Sequence, residues 1–178
     1  MPVPQRISAL SLCGLSVGVL VADRLSKYLV DRFMPLGASK VLIPGLLNFM
    51  HTTNPGVAFG FLADSGSSWT APVLVIFSVA VIGFLIWLLA SGKAGGVLGQ
   101  LGMASILGGA CGNVFDRLLR HSVTDFIDFH LGRYHWYTFN FADSAIVIGA
   151  TLVVLELLRD WSHPGDEPSE EPSFRRDV

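Results

Sequence analysis

Long charge-free runs of apolar residues alternate with short polar stretches along the chain. They predict membrane-spanning helices at about residues 8–30, 70–90, 95–117 and 140–158. Each prediction is close to the ~20 residues that a helix needs to cross a hydrocarbon core about 30 Å thick. The first run is short by itself, but its helical pattern continues through Asp23 and Lys27. The pattern therefore predicts a polytopic membrane protein with four spans.

A cleaved signal peptide is the alternative interpretation of the first run. Its basic segment would consist of Arg6 alone, and no small-x-small cleavage site follows the run. Both features favour a retained span.

The stretch 36–64 has a different pattern from the spans. Short β-favouring segments at 41–43 and 46–51 are separated by Pro44-Gly45, and the second is followed by Asn54-Pro55-Gly56. Pro followed by Gly suits a type II turn. We expect a small β-sheet against the membrane surface, so the fold class is an all-α polytopic membrane protein with a small β-cradle.

The last residues, 160–178, are polar and contain several Pro and Glu. This composition predicts a disordered tail that is dispensable for chemistry. The membrane domain is then predicted over 1–159.

Composition supports the membrane assignment and excludes several classes of protein. Of the 178 residues, 51% are hydrophobic and 15% are charged, with a net charge of -2; about 25% charged is usual in soluble domains. A nucleic-acid binder with a basic face, a disordered acidic chain and a disulfide scaffold are all excluded, the last because there are only two Cys. Counting Lys and Arg in the loops does not settle the orientation.

Charged residues in the spans need partners or a function, because a charge at mid-bilayer costs about 2.5–3.5 kcal/mol. Asp23 and Lys27 are four residues apart and are predicted to pair. The pair is either an interfacial salt bridge or part of a site. Asn113, Asp116 and Arg117 share one face of the third span, which predicts a polar stripe facing inward.

Asp125 and Asp143 are the candidate catalytic residues. Asp125 lies in an apolar-flanked loop segment, and Asp143 lies near the start of the fourth span. Two carboxylates in contact share a proton, so that one acts as a general base on water while the other polarises a peptide carbonyl. Spacing alone leaves structural or proton-carrying roles open, and it leaves Asp128 as a competitor for the place of Asp125.

Small residues indicate where helices approach one another closely. Gly-x-x-x-Gly pairs at 14/18, 95/99 and 108/112 predict close helix packing. For the cluster of Gly108, Gly109 and Gly112, space for a substrate is an equally supported alternative.

Other hydrolytic chemistries have less support. The sequence contains no H-E-x-x-H, no G-x-S-x-G and no phosphate-binding loop. His121, His130 and His135 share a loop, so a metal cluster remains an alternative to ordinary interfacial histidines. We expect no metal and no cofactor.

Five motifs in chain order resemble the lipoprotein signal peptidase family, also called signal peptidase II. They cover about residues 10–158 and are Asp23-Arg24-Leu25-Ser26-Lys27, Asn54-Pro55-Gly56-Val57-Ala58-Phe59, the segment from Gly108 to Arg117, Val123-Thr124-Asp125-Phe126, and Phe139-Asn140-Phe141-Ala142-Asp143-Ser144. Pro55 and the polar tail depart from the usual family pattern, and neither touches the two candidate aspartates.

The resemblance implies a role for each matching residue. Asp125 and Asp143 match the family's catalytic pair, which decides against Asp128 and Asp116. Substrate binding or support of the pair is implied for Asn54, Gly56, Ala58, Asn113, Arg117, Asn140, Asp23 and Lys27.

The resemblance also implies a substrate and a location. The substrate would be a prolipoprotein carrying a diacylglyceryl group, cut just before its lipidated cysteine. The enzyme would lie in the bacterial cytoplasmic (inner) membrane with both termini cytoplasmic and the cradle on the outer side. Membrane lipid is an expected partner, nucleic acid is not, and we expect a monomer.

Two other functions remain as alternatives. A small transporter or proton-relay protein would also keep Asp and Arg on inward faces, but it predicts an inverted repeat that the sequence does not show. An assembly factor that uses Gly-x-x-x-Gly faces would leave the five polar motifs without a purpose.

Overall fold

Four long helices form the body of the protein, as predicted. The structure is a computed structural model that describes residues 6–56 and 70–162. Its helices are α1 (Ala9–Phe33), α2 (Thr70–Ala90), α3 (Val97–Arg120) and α4 (Phe141–Ser162). All four are long and apolar enough to cross a membrane. α4 continues past its predicted end at 158 into the first residues of the predicted tail, and 163–178 lie outside the described residues.

α3 is the central helix, because α1, α2 and α4 all pack on it. Glycine makes this packing possible: a Cβ at Gly108 would overlap the carbonyl oxygen of Ser16 in α1, and one at Gly109 would overlap that of Ala142 in α4. A Cβ at Gly112 would overlap the carboxylate of Asp23. Of the two alternatives for this glycine cluster, the structure therefore supports helix packing.

The other two glycine pairs have different outcomes. A Cβ at Gly14 or Gly18 would meet nothing within 4 Å, so the close packing predicted for this pair is wrong within the described residues. Gly95 precedes α3 and has a φ of 73°, a turn conformation that favours glycine. A Cβ at Gly95 or Gly99 would lie 3.5 Å from the Glu156 side chain of α4, which agrees with the packing predicted for this pair.

A four-stranded antiparallel sheet lies beside the helices. Its strands, in the order β1-β2-β3-β4, are β1 (Ser39–Ile43), β2 (Leu47–Asn54), β3 (Val123–Leu131) and β4 (Tyr134–His135). The type II turn predicted at Pro44-Gly45 is supported: Leu46 N donates to Ile43 O at 3.1 Å, and Gly45 has a φ of 76°. The sequence predicted the first two strands but not β3 and β4, which come from a segment expected to be a loop.

Asp31 ties the sheet to the helix bundle. Its carboxylate pairs with His51 Nε2 of β2 at 3.2 Å and with Arg120 at the end of α3, and it accepts from Thr124 Oγ1 of β3 at 3.4 Å. The sheet is thus held where α1 and α3 end and α4 begins. In the same region, Thr52 of β2 lies opposite Asp125 of β3, which places the end of β2 beside that carboxylate.

Candidate active site

Asp125 and Asp143 line one cavity of about 390 Å³. Asp125 is the third residue of β3 and is only 2% exposed, whereas Asp143 is the third residue of α4 and is half-buried. Three more of the predicted site residues line the same cavity: Asn54, Asn113 and Arg117. The fold therefore brings together residues that are up to 89 positions apart in the chain.

Asn140 connects the two carboxylates. Its Nδ2 donates to Asp125 Oδ1 at 2.7 Å, while its Oδ1 accepts from the backbone N of Asp143 at 3.0 Å. Its own backbone N donates to Asp143 Oδ2 at 3.3 Å, which completes the reciprocal pattern of a helix capping box. The start of α4 and the geometry of the carboxylate pair are thus set by the same residue, which is fully buried.

Asn54 holds the second oxygen of Asp125. Its Nδ2 donates to Asp125 Oδ2 at 3.2 Å, and its Oδ1 accepts from Gly56 N at 2.9 Å. Gly56 does not have a positive φ, so the type II turn predicted at Asn54-Pro55-Gly56 is wrong. An Asx turn forms instead, because the Asn54 side chain replaces a backbone acceptor.

Arg117 joins α3 to the end of β2. Its Nη2 donates to the carbonyl oxygen of Gly56 at 2.8 Å, and its Nη1 donates to that of Asn113 at 3.5 Å. Its Nε is buried and has no hydrogen-bond partner among the described residues. The guanidinium therefore forms part of the cavity wall, and its Nε remains as a possible hydrogen-bond donor. Ala58, also predicted here, lies outside the described residues.

A second polar cluster lies behind the cavity, between α1 and α3. The predicted pair forms, with Lys27 Nζ 2.9 Å from Asp23 Oδ2, and Lys27 Nζ also lies 2.8 Å from Asp116 Oδ2. Arg24 forms an ion pair with Asp116, and Asp23 Oδ1 accepts from Ala142 N of α4 at 3.0 Å. Asp23 and Lys27 are both fully buried, so this is not a salt bridge at the water interface.

Asn113 links this cluster to the cavity. Lys27 Nζ donates to its Oδ1 at 3.0 Å, and its Nδ2 donates to Asp143 Oδ1 at 2.7 Å. Because an ammonium group can only donate, Lys27 requires the amide oxygen on its side. The amide nitrogen must then face Asp143, so Lys27 orients a donor toward a carboxylate that it does not touch.

The environment of Asp125 favours its protonated form. Burial, followed by the negative charge of Asp143, raises the pKa of Asp125 to about 7, although hydrogen bonds from Asn140 and Asn54 oppose the shift. A carboxyl group with this pKa carries a proton over much of the neutral range. The two carboxylates are therefore suited to share one proton.

Asp128, the competitor of Asp125 in the sequence, has a different environment and does not line the cavity. Its carboxylate accepts from Asn48 Nδ2 at 2.9 Å and lies 2.9 Å from His135 Nδ1. Burial acts to raise its pKa, but the hydrogen bonds from His135 and Asn48 outweigh it and lower the pKa below the ordinary value. Asp128 is therefore a partner within the sheet.

The histidine alternative finds no metal site in the described part of the chain. No group of three or more His, Cys, Asp or Glu residues there has an arrangement that could hold a metal ion. His130 and His135 stack with ring centroids 4.7 Å apart, and His121 ends α3 in a left-handed conformation with a φ of 58°.

Part of the cavity wall was not predicted. It is formed by Trp136, Tyr137, Thr138 and Phe139. Phe139 also pairs with Ile127 of β3, which brings this segment against the sheet just before Asn140. The available signal was the density of aromatic residues between 134 and 141, directly before the Asn-x-x-Asp motif.

Comparisons with known proteins agree with these motifs. A family model described as Signal peptidase (SPase) II matches residues 15–159. The chain is 41% identical over 146 residues to the lipoprotein signal peptidase of Solibacter usitatus, which covers 82% of this chain and 89% of that one. It is 42% identical over 156 residues to the lipoprotein signal peptidase of Salmonella newport, with 88% and 93% covered.

Solved structures show the same fold. A structure described as a bacterial membrane enzyme, determined by the in meso method at 2.3 Å resolution, superposes with a TM-score of 0.81. It is 28% identical in sequence, and the match covers 93% of this chain and 98% of that one. A second structure described in the same way, at 1.9 Å resolution, gives a TM-score of 0.78 at 27% identity.

Proposed function

The chain belongs to the signal peptidase II family, and on that premise we propose that it removes signal peptides from prolipoproteins, with Asp125 and Asp143 as its catalytic pair. Membership makes it a peptidase of the aspartic type rather than a transporter or an assembly factor. The family and the four apolar helices support a multi-pass protein of the bacterial inner membrane. We further propose that both termini are cytoplasmic and that the chain acts as a monomer.

The observation that carries the proposal is the set of partners around the two carboxylates. Asn140 and Asn54 donate to Asp125, and Asn113 and Asn140 donate to Asp143. Within the described residues, neither carboxylate forms an ion pair. Amide donors hold a carboxylate in place without neutralising it by a fixed cation, so both groups stay available for proton transfer.

We assign the proton to Asp125 and the base function to Asp143. Asp143, which is half-buried, removes a proton from water as the water oxygen attacks the scissile carbonyl carbon. Asp125, whose pKa is raised to about 7, donates its proton to the carbonyl oxygen. When the tetrahedral intermediate collapses, one of its hydroxyl groups returns a proton to Asp125 as the carbonyl re-forms and the C–N bond breaks. The amine leaves with the proton that Asp143 accepted, and the pair is back in its starting state.

The shape of the cavity supports a substrate that stays in the membrane. Val147 and Ile148 of α4 line the cavity and are 65% and 59% exposed, on a face of the helix that lipid would surround. A peptide bond could reach the carboxylates from this side without leaving the bilayer. A diacylglyceryl group favours such a route, because burial of each CH₂ in lipid is worth about 0.8 kcal/mol.

We propose that cleavage falls directly before the lipidated cysteine. On this assignment the acyl chains hold the cysteine at the membrane surface, beside the aspartate pair. Arg117 lines the same cavity as the pair. We assign its Nε, which has no hydrogen-bond partner among the described residues, as a donor for a peptide carbonyl of the substrate. Asn113 and Asn140 then act as positioning residues for the pair.

The test is cleavage of a prolipoprotein, with and without its diacylglyceryl group, by protein reconstituted in lipid. Asp125→Asn and Asp143→Asn are each expected to lower the cleavage rate by at least ~10³-fold, since each removes a proton-transfer group. Asp128→Asn is the matched control from the same strand and should stay within about threefold of the wild type, because Asp128 does not line the cavity and its hydrogen-bond partners, Asn48 and His135, lie within the sheet.

Two results would contradict the proposal. If Asp128→Asn abolishes cleavage while Asp125→Asn does not, the catalytic pair is wrongly assigned. If substrates with and without the diacylglyceryl group are cut equally well, the substrate assignment is wrong, and the pair then serves a different membrane peptidase activity.

A further inference from the structure

A second, larger cavity lies on the other side of α3. It has a volume of about 680 Å³ and lies between α1, α2 and α3, close to where α1 begins and α2 ends. It shares no lining residue with the cavity of the aspartate pair. Its walls are mostly aliphatic, with Leu12 and Leu20 from α1, Ile82 and Ile86 from α2, and Leu107 from α3. Pockets of about 300–1,000 Å³ are typical of small-ligand sites.

The mouth of this cavity is held by polar contacts. The backbone N of Ile7 donates to Gln100 Oε1 at 2.9 Å, and Gln100 Nε2 donates to Gly95 O at 3.1 Å. Gln100 is only 6% exposed, so the start of α1 is fastened to the start of α3 through a buried side chain. The bond from Ile7 N holds the backbone directly after Arg6.

The guanidinium of Arg6 lies against Gly92, at the end of α2. A Cβ at Gly92 would overlap it, and Gly92 has a φ of 70°, so glycine is what leaves room for the cation there. Within the described residues Arg6 forms no ion pair. Glu156, the carboxylate behind Gly95 and Gly96, accepts from the backbone N of Leu98 and Gly99 instead.

A second cation stands at the same end of α2. Lys93, next to Gly92, has its Nζ 4.8 Å from the centre of the Trp87 ring. Trp and Lys at a helix end are typical of the membrane–water interface. An apolar cavity thus lies beside two cations, Arg6 and Lys93, near the start of α1 and the end of α2. Residues of this kind place that end of the bundle at the level of the lipid headgroups.

We propose that this cavity binds an anionic phospholipid, with an acyl chain between α1 and α2 and the phosphate on Arg6 and Lys93. A free phosphate ion would make no use of the apolar volume, and a zwitterionic lipid would match the two cations less well. The lipid would fill the gap between two helices that each pack on α3. The proposal concerns a site apart from the aspartate pair and does not depend on the catalytic assignment.

The test is native mass spectrometry of the full chain, purified in detergent and supplied with equal amounts of phosphatidylglycerol and phosphatidylcholine. The wild type is expected to retain one phosphatidylglycerol per chain, at least fivefold in preference to phosphatidylcholine. The double variant Arg6→Gln/Lys93→Gln should lose this preference. Arg159→Gln, which removes a cation from the last turn of α4, is the matched control and should keep it.

A cavity-filling variant tests the acyl chain separately from the headgroup. Val17 lines the cavity and is half exposed, so Val17→Trp can occupy the cavity without a change of charge. It should lower phosphatidylglycerol retention at least fivefold, while circular dichroism shows the wild-type helix content. Equal retention of both lipids by the wild type would overturn the proposal. So would unchanged retention in either variant, or a dimer in place of the lipid-bound monomer.

Discussion

Two pairs of carboxylates lie close to each other where the helices meet the sheet, and they have opposite kinds of partner. Asp23 and Asp116 contact two cations, Lys27 and Arg24, and the four charges sum to zero. Asp125 and Asp143 are held by asparagine side chains and one backbone N–H. The first pair is compensated by cations, whereas the second is oriented by groups that carry no charge. All four residues are aspartates, so the difference between the structural cluster and the reactive pair comes from the groups that contact them.

Asn113 connects the two pairs of aspartates through its side-chain amide. It accepts from Lys27 on one side and donates to Asp143 on the other. The neutral cluster therefore acts on the reactive pair by orienting one amide, with no direct contact between the cations and Asp143.

Among the residues that hold the two pairs in place, the largest effect is expected at Asn140, which contacts both reactive carboxylates. Asn140→Ala removes its donor to Asp125 and its cap on α4, and should lower the cleavage rate by about 100-fold or more, as expected for a misplaced catalytic group. It should also cost ~1 kcal/mol of stability for the lost cap. Kinetics and unfolding in the same detergent measure the two effects.

Asn140→Ser separates those two effects. Serine is a good N-cap but is too short to reach Asp125 as asparagine does. Stability should return to near the wild-type value while the cleavage rate stays low. Recovery of the rate together with the stability would mean that Asn140 acts only through the helix start.

The next effect is expected at Lys27, in the neutral cluster. Lys27→Met leaves Asp23 and Asp116 with Arg24 alone, and an uncompensated buried charge typically costs ~3–5 kcal/mol. Asp23→Asn in the same chain should recover part of this loss, because the amide oxygen can still accept from Ala142 N while the excess negative charge is gone. Arg24→Gln, at a position 25% exposed, should cost less.

Activity in these variants reports on Asn113. In Lys27→Met/Asp23→Asn the Asn113 oxygen loses its shorter hydrogen bond and keeps only the one from Asn140 Nδ2 at 3.4 Å. The amide nitrogen is then held less firmly toward Asp143, so the cleavage rate should stay below that of the wild type even where stability recovers. A rate that recovers fully with stability would show that Lys27 has no orienting role.

A smaller and graded effect is expected from pH. The active form carries one proton on the pair, and the pKa of Asp125 is about 7, so the rate should fall about tenfold per pH unit above that value. The free energy of unfolding also depends on Asp125. Between pH 3.8, the ordinary pKa of an aspartate, and about pH 7, Asp125 keeps a proton in the folded state that it loses in the unfolded state. Stability should therefore fall as pH rises through this window, and Asp125→Asn should remove that slope.

The sequence alone predicts what is local. Charge-free runs predicted the four helices, Pro44-Gly45 predicted a turn, and the spacing of Asp23 and Lys27 predicted their ion pair. What it missed depends on distant partners: β3 becomes a strand by pairing with β2, some 70 positions earlier, and Arg24 meets Asp116 across two helices. Gly14 and Gly18 show the opposite kind of error, in which a local motif predicted a contact that does not form: a Cβ at either position would meet nothing within 4 Å.

The candidate site likewise contains features that depend on neighbours in sequence and features that depend on distant partners. Asn140 and Asp143 are three residues apart, so their capping pattern was present in the sequence. The orientation of Asn113 was not, because it depends on a lysine 86 positions away. The sequence showed that the segment 136–139 is rich in aromatic residues but not that it lines the cavity. The pairing of Phe139 with Ile127 brings it there.

Infrared difference spectroscopy of the carboxyl groups tests the central claim most directly. A protonated carboxyl band that titrates near pH 7 is expected in the folded wild type. It should be absent in Asp125→Asn and retained in Asp128→Asn. A wild-type protein without such a band, or an Asp125→Asn variant that keeps it unchanged, would contradict a proton shared by Asp125 and Asp143.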